Sequence, residues 1–177
     1  TYKYNSAHFD AFKSPNYPAL AEAGVNIQYN TTALLKPGKK SLSVHTHLEN
    51  DIAVLKLFPG LSKKITLAIL NTPGIKAVII ETFGAGNAST EEWFIKALKN
   101  AIDKGIIIYN VTQCAEGKVI QGMYETSSAL KKIGVISGFD ITFESAITKL
   151  MFVLGQKVSL SKAKQLLETN LRGEITL

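Results

Sequence analysis

Apolar and polar positions change rhythm near residue 50. From Asp51 onward, short apolar runs alternate with stretches whose apolar residues recur every three or four positions, the pattern of strands alternating with helices. Ile52 to Phe58 is nearly continuous in apolar character, which suits a strand buried on both faces of a parallel sheet. Pro59-Gly60 breaks it, Ser62 can cap a helix with Ile65, Ala68 and Ile69 on one side, and Pro73-Gly74 ends that helix. A second unit runs from the strand Val78 to Ile80 through the turn Gly84-Ala85-Gly86-Asn87 into a helix predicted over Thr90 to Lys104. There Ser89 and Glu92 have capping-box spacing, Gly105 supplies the stop, and Phe94, Ala97, Leu98, Ala101 and Ile102 form the stripe that should pack on the sheet. The third strand is Ile106 to Val111, followed by the polar loop Thr112 to Lys118 and a helix near Ser127 to Lys132. Val135-Ile136 is a short last strand, and amphipathic helices follow at about Phe143 to Leu154 and Leu160 to Thr169, the second capped by Ser159. The pattern predicts an α/β fold: a Rossmann-like three-layer domain with a mainly parallel sheet and right-handed crossovers.

The first fifty residues follow neither rhythm. Pro15, Pro18, Asn30-Thr31-Thr32 and Pro37-Gly38 mark turns between short extended pieces, so most of this stretch reads as a connector. The boundary falls near Lys40, with Ser41 to His47 as an extended lead-in.

Composition narrows the class. A chain of 177 residues with 46% hydrophobic and 19% charged residues can bury a sizeable core, and no apolar run approaches the ~20 residues needed to span a bilayer, so no membrane partner is expected. The net charge of +6 is dispersed in single or paired lysines without interleaved aromatics, which argues against a nucleic-acid partner. Cys114, the single cysteine, excludes an intrachain disulfide and a cysteine-rich zinc site and fits a reducing compartment.

Candidate chemistry gathers where strands end. A strand running into a glycine-rich turn aims backbone N–H groups and a helix N-terminus at one spot, the usual ligand position of open α/β sheets, which singles out the turn ending at Asn87; glycines also serve ordinary tight turns. Cys114 follows the third strand at the same edge, and Glu81, Glu116 and Glu125 lie in or beside loops there. A nucleophilic cysteine needs a neighbouring base, which the sequence does not display, so a small, partly buried structural cysteine is the expectation. His45 and His47 would share one face of a strand continued by Glu49 and Asp51, but without a third well-spaced histidine no metal site is expected. His8 has no local partner in the sequence.

Thr82-Phe83-Gly84-Ala85-Gly86-Asn87-Ala88, Asn110-Val111-Thr112-Gln113-Cys114 with Gly117-Lys118-Val119, and Asn170-Leu171-Arg172-Gly173-Glu174 together resemble, in order and spacing, the cytoplasmic-type (type I) L-asparaginases. Phe9-Asp10-Ala11-Phe12 with Ser14-Pro15-Asn16 resembles the end of that family's first domain. The resemblance implies residues 1–20 as the tail of an N-terminal domain, 21–40 as a linker and 41–177 as the C-terminal asparaginase domain. It implies hydrolysis of L-asparagine to L-aspartate and ammonia without metal or cofactor, a cytoplasmic location, an N-terminal asparaginase domain as partner and a homo-oligomer. The family uses a threonine nucleophile, a second threonine, an aspartate and a lysine. Its Thr-Gly-Gly-Thr and Thr-Asp motifs have no match, since neither Gly-Gly nor Thr-Asp occurs here. The lysine matches Lys3, whose implied catalytic role is to help take the threonine's proton; with an ordinary pKa near ~10.4 it would need burial or a nearby cation to do so at neutral pH. Asn87 is the implied substrate-binding residue, offered to a neighbouring subunit's site. Some members carry a regulatory site built from a threonine, an arginine and the loop cysteine; Cys114 matches, but Tyr2 and Glu81 stand in the other places, and Glu81 reverses the charge offered to a ligand carboxylate. The alternative is a non-catalytic binding or assembly module with the same fold. A third reading is the related subunit of a transfer-RNA-dependent amidotransferase.

Overall fold

The computed structural model describes residues 1–39, 41–122 and 125–176, with the side chains of all but Glu125 and Thr126 among them. Lys40, the expected boundary, lies outside the described residues, as does the side chain of Glu125.

Four parallel strands make the central sheet: β5 (Ile52–Lys56), β6 (Ala77–Thr82), β7 (Ile107–Thr112) and β8 (Ile136–Ser137), side by side in chain order. Each is joined to the next by a helix: α1 (Lys63–Leu70), α2 (Glu92–Asp103) and α3 (Glu125–Ile133). Two further helices follow, α4 (Phe143–Gly155) and α5 (Leu160–Leu167).

Strand periodicity decides the layering. Successive side chains of β6 leave opposite faces, so Val78 and Ile80 meet Leu70 of α1, Phe94 and Leu98 of α2 and Leu130 of α3, whereas Ala77 and Ile79 meet Leu150 and Val153 of α4 and Leu167 of α5. The four β6 residues Ala77 to Ile80 are wholly buried, and burying each Val or Ile contributes about 1.5–3 kcal/mol. This two-sided burial explains the absence of polar alternation in the sequence and matches the three-layer expectation.

Three local details differ from the sequence reading. β5 ends at Lys56 rather than Phe58; Leu57 adds one more bond to the Glu81 carbonyl at 3.0 Å, and the chain then leaves the sheet edge with Phe58 exposed. The capping box before α2 does not form: Ser89 Oγ accepts the Glu91 N–H at 3.2 Å in a tight local turn, so the helix begins at Glu92 without a side-chain cap. Ser41 to His47 joins no strand.

Before the sheet, β1 (Tyr2–Lys3) pairs antiparallel with β2 (Phe12–Lys13), and β3 (Ala21–Ala23) with β4 (Ile27–Tyr29). The second hairpin falls within the stretch read as connector and is exposed along its length. Among the described residues no helix is long and apolar enough to cross a membrane.

Candidate functional site

At the carboxyl edge of the sheet, β6 runs into a closed loop. Phe83 N–H donates to the Asn87 carbonyl at 2.9 Å, and the amides of Gly86 and Asn87 return to the Phe83 carbonyl at 3.0 and 2.8 Å. Gly86 has φ +104°, and a Cβ there would stand 2.8 Å from Val119 Cγ1, so backbone angle and packing both demand glycine. Thr112, at the end of β7, donates its hydroxyl to the Gly84 carbonyl at 2.5 Å and accepts the Cys114 N–H at 3.0 Å. On the far side, Ile120 N–H donates to the Ala85 carbonyl at 3.0 Å. Two attachments from outside, together with the loop's own backbone bonds, therefore hold the backbone of the partly buried Asn87 in place.

Beneath the loop lies a buried polar pair. Thr82 Oγ1 donates to Asn110 Oδ1 at 2.7 Å, with a longer contact to the Val111 carbonyl at 3.2 Å, and both residues are fully buried. Asn110 Nδ2 is buried without a hydrogen-bond partner, 3.5 Å from where a Gly86 Cβ would sit. Gln113 stitches the neighbouring strand ends, donating Nε2 to the carbonyls of Leu57 at 2.6 Å and Glu81 at 2.8 Å. Sequence reasoning gave Thr82, Asn110, Thr112 and Gln113 no role. The available signal was polar side chains within or just after otherwise apolar strands, where a buried polar group must find a partner.

Three of the turn's amides are already bonded within it. The amides of Phe83, Gly86 and Asn87 are spent on the loop's own carbonyls, and the start of α2 carries Glu91 and Glu92, which already oppose the positive end of the helix dipole. What the arrangement offers is a fixed backbone position for Asn87, a residue whose carboxamide carries both donor and acceptor atoms.

Lys3 sits on β1 opposite Phe12, exposed, with Nζ 5.8 Å from the Phe12 ring centre. Its neighbour Tyr2 lines a cleft of about 200 Å³ together with Glu81, Thr112 to Ala115 and Ile141 to Glu144. A second cleft of about 340 Å³ lies between Phe58, Phe83, Ala88 and Trp93. Neither has Lys3 or Asn87 in its wall. Cys114 is exposed in the first cleft, not partly buried as expected; it opens the tight turn closed by Gly117 N–H on its carbonyl, where the chain has left β7. Glu81 is partly buried, with an oxygen 3.7 Å from Lys56 Nζ, and Glu116 is exposed. His45 meets the Phe152 ring edge-on at 5.3 Å, and Glu49 turns back to accept the amides of Asn50 and Asp51. The His45–Asp51 alternation is thus not a strand face. No group of three His, Cys, Asp or Glu among the described residues could hold a metal ion.

Residues 51–167 match the family model of the glutaminase/asparaginase C-terminal domain. The chain is 40% identical to L-asparaginase 1 of Escherichia coli over 176 residues, which is 99% of this chain and 52% of that protein. It is 41% identical to the 60 kDa lysophospholipase of Mus musculus over its whole length, 31% of that protein. The crystal structure of L-asparaginase I from Vibrio cholerae superposes with a TM-score of 0.88 at 39% identity, covering 94% of this chain and 50% of that one. The chain thus spans about half the length, or less, of the relatives it matches.

Proposed function

The chain belongs to the glutaminase/asparaginase C-terminal domain family, and we propose that it is the second half of a type I L-asparaginase, hydrolysing L-asparagine to L-aspartate and ammonia. The observation that carries this reading is the 40% identity to an L-asparaginase across 99% of the chain, through both the Lys3 hairpin and the Asn87 loop.

In this reading the division of labour follows the covalent layout. Residues 1–20 end the catalytic domain, 21–40 link, and 41–177 form the domain that completes the site. The nucleophilic threonine stands outside this chain, and Lys3 serves as the amine that helps remove its proton as it attacks the side-chain amide carbon. Lys3 is exposed here, and in the longer protein the preceding domain or a second copy covers it. Asn87 reaches the site of a neighbouring copy in a cytoplasmic homo-oligomer, where its rigid mounting spares the ordering cost of binding. Reversal of charge at Glu81 weighs against regulation by asparagine at the Cys114 cleft.

The test is ammonia release by the protein encoded with its upstream sequence, with a lysophospholipid as control substrate because of the name the mouse relative carries. Asparagine turnover is expected, and Lys3→Met should lower kcat at least about a hundredfold. Full activity in Lys3→Met would remove Lys3 from the chemistry. Turnover by the 177-residue chain alone at the rate of the longer protein would overturn the missing-nucleophile reading.

A further inference from the structure

The motif Asn170 to Glu174 is left without a role by the hydrolytic reading, yet it is closely bonded to itself and to α4. Glu174 is its keystone. One carboxylate accepts the amides of Leu171 at 3.0 Å and Arg172 at 2.6 Å and meets Lys149 Nζ at 2.7 Å. Lys149, its side chain 4% exposed, also donates to the Thr169 carbonyl at 2.6 Å. Asn170 closes the loop, accepting Gly173 N–H and donating to the Ile175 carbonyl, each at 2.6 Å.

This closed loop presents Gly173 to the ring of Tyr17. Gly173 has φ +90°, and a Cβ there would lie 3.0 Å from Tyr17 Cε2, so the ring sits directly on glycine backbone. Tyr17 is pinned from the other end by its hydroxyl on the Ala33 carbonyl at 2.7 Å. Beside it, Asn16 Nδ2 donates to the Asp140 carbonyl at 2.6 Å, while the Asp140 carboxylate accepts Thr176 N–H at 2.7 Å. Tail and N-terminal segment therefore grip the same residue from two sides.

The strand pair β1–β2 needs such a grip. Its strands are two residues long, and Tyr4, Phe9 and Phe12 are exposed, so it has no core of its own to hold it. Further ties to the sheet domain include the Thr142 hydroxyl on the Thr1 carbonyl at 3.3 Å and Asn16 Nδ2 on the Gly117 carbonyl at 3.4 Å, while Thr1 and Ser14 share a hydroxyl bond at 2.5 Å within the segment.

We propose that residues 169–176 form a latch, locked by Glu174 and seated on Tyr17, that positions the strand pair bearing Lys3 against the sheet domain. Glu174 and Lys149 are then positioning residues, acting through Tyr17. The part concerning Lys3 rests on the hydrolytic reading; the latch does not.

Amide exchange of the 177-residue chain, read by mass spectrometry, decides it. Glu174→Gln should speed exchange in peptides spanning residues 1–17 by about tenfold while peptides from β6 and β7 keep their rate, the response of one subregion opening without the rest. In a Tyr17→Ala background, where the latch has lost its seat, Glu174→Gln should add nothing to exchange in residues 1–17. Equal acceleration in β6 and β7, or an undiminished effect in the Tyr17→Ala background, would assign Glu174 to general stability and overturn the latch. In the longer enzyme, Glu174→Gln should lower kcat for asparagine with KM unchanged, because proton transfer by Lys3 is disturbed and binding is not. If Lys3→Met proves fully active, the catalytic role falls and the exchange result still stands or falls alone.

Discussion

Replacing Gly86 by alanine probes the loop where backbone angle and packing coincide. The first cost is conformational: holding a non-glycine residue at φ +104° takes about 1–3 kcal/mol. A second arises because the new methyl would stand 2.8 Å from Val119 Cγ1 and 3.6 Å from Val119 Cβ; the valine, 3% exposed, has little room to retreat, and overpacking of this kind costs about 1–3 kcal/mol. Together Gly86→Ala should destabilise the chain by about 2–6 kcal/mol, a large share of the 5–15 kcal/mol typical of a domain. Urea unfolding followed by circular dichroism measures this as a fall in midpoint at constant slope. A second variant separates the two parts: adding Val119→Ala relieves the methyl contact but not the backbone angle, so the double variant should be less destabilised than the sum of the single changes. A Gly86→Ala midpoint equivalent to less than about 0.5 kcal/mol, within the range of harmless surface changes, would refute the claim that the loop is rigidly mounted.

Thr82→Val should cost about 1–3 kcal/mol, since Asn110, whose Nδ2 already lacks a partner, would lose its remaining side-chain bond inside the core; Thr82→Val with Asn110→Leu should recover most of it, and an unchanged melting temperature in the single variant would contradict the account. Lys149→Met, which leaves the Glu174 carboxylate without its cation, should destabilise by about 3 kcal/mol in urea unfolding, and a value near zero would show that the pair carries no stability. The same pair sets a pH dependence. Burial raises the Glu174 pKa, but Lys149 and the backbone amides of Leu171 and Arg172 outweigh it, and the net displacement is downward. Its contribution is therefore present above the unfolded carboxyl value of 4.5 and is lost as pH falls through the lower folded value. Burial lowers the Lys149 pKa despite Glu174, so near the alkaline end the unfolded chain binds more protons and stability rises with pH up to the ordinary lysine value. Urea midpoints from pH 3 to 6 should fall less steeply toward acid for Glu174→Gln than for the unaltered chain; parallel curves would contradict the assignment.

Much of the fold was legible because its signals are local and mutually consistent. The apolar run Val78 to Ile80 and the helical stripe Phe94, Ala97, Leu98, Ala101 need no distant partner to be recognised, and the core places them as their periods require. Where several local signals competed, reading failed: Ser89 has the spacing of a capping box but bonds to Glu91 instead, and the start of β5 reads correctly while its end depends on how far the neighbouring strand supports it. Gly84-Ala85-Gly86-Asn87 was visible as a turn at a strand end. Its hydrogen bonding was not, since the groups that hold it, Thr112 and Ile120, come from β7 and the loop beyond.

Sequence by itself determined the α/β class and the succession of strands and helices from Asp51, because apolar period and turn chemistry are properties of the chain read along its length; Lys3 and the binding role of Asn87 entered only as what the family resemblance implies. Tertiary structure alone decided that the Asn87 loop is tied down by Thr112 and Ile120, that Cys114 is exposed, and that Glu174 faces Lys149 while its loop seats Tyr17. Those outcomes turn on contacts between residues as far apart as Tyr17 and Gly173, whose packing no local pattern encodes.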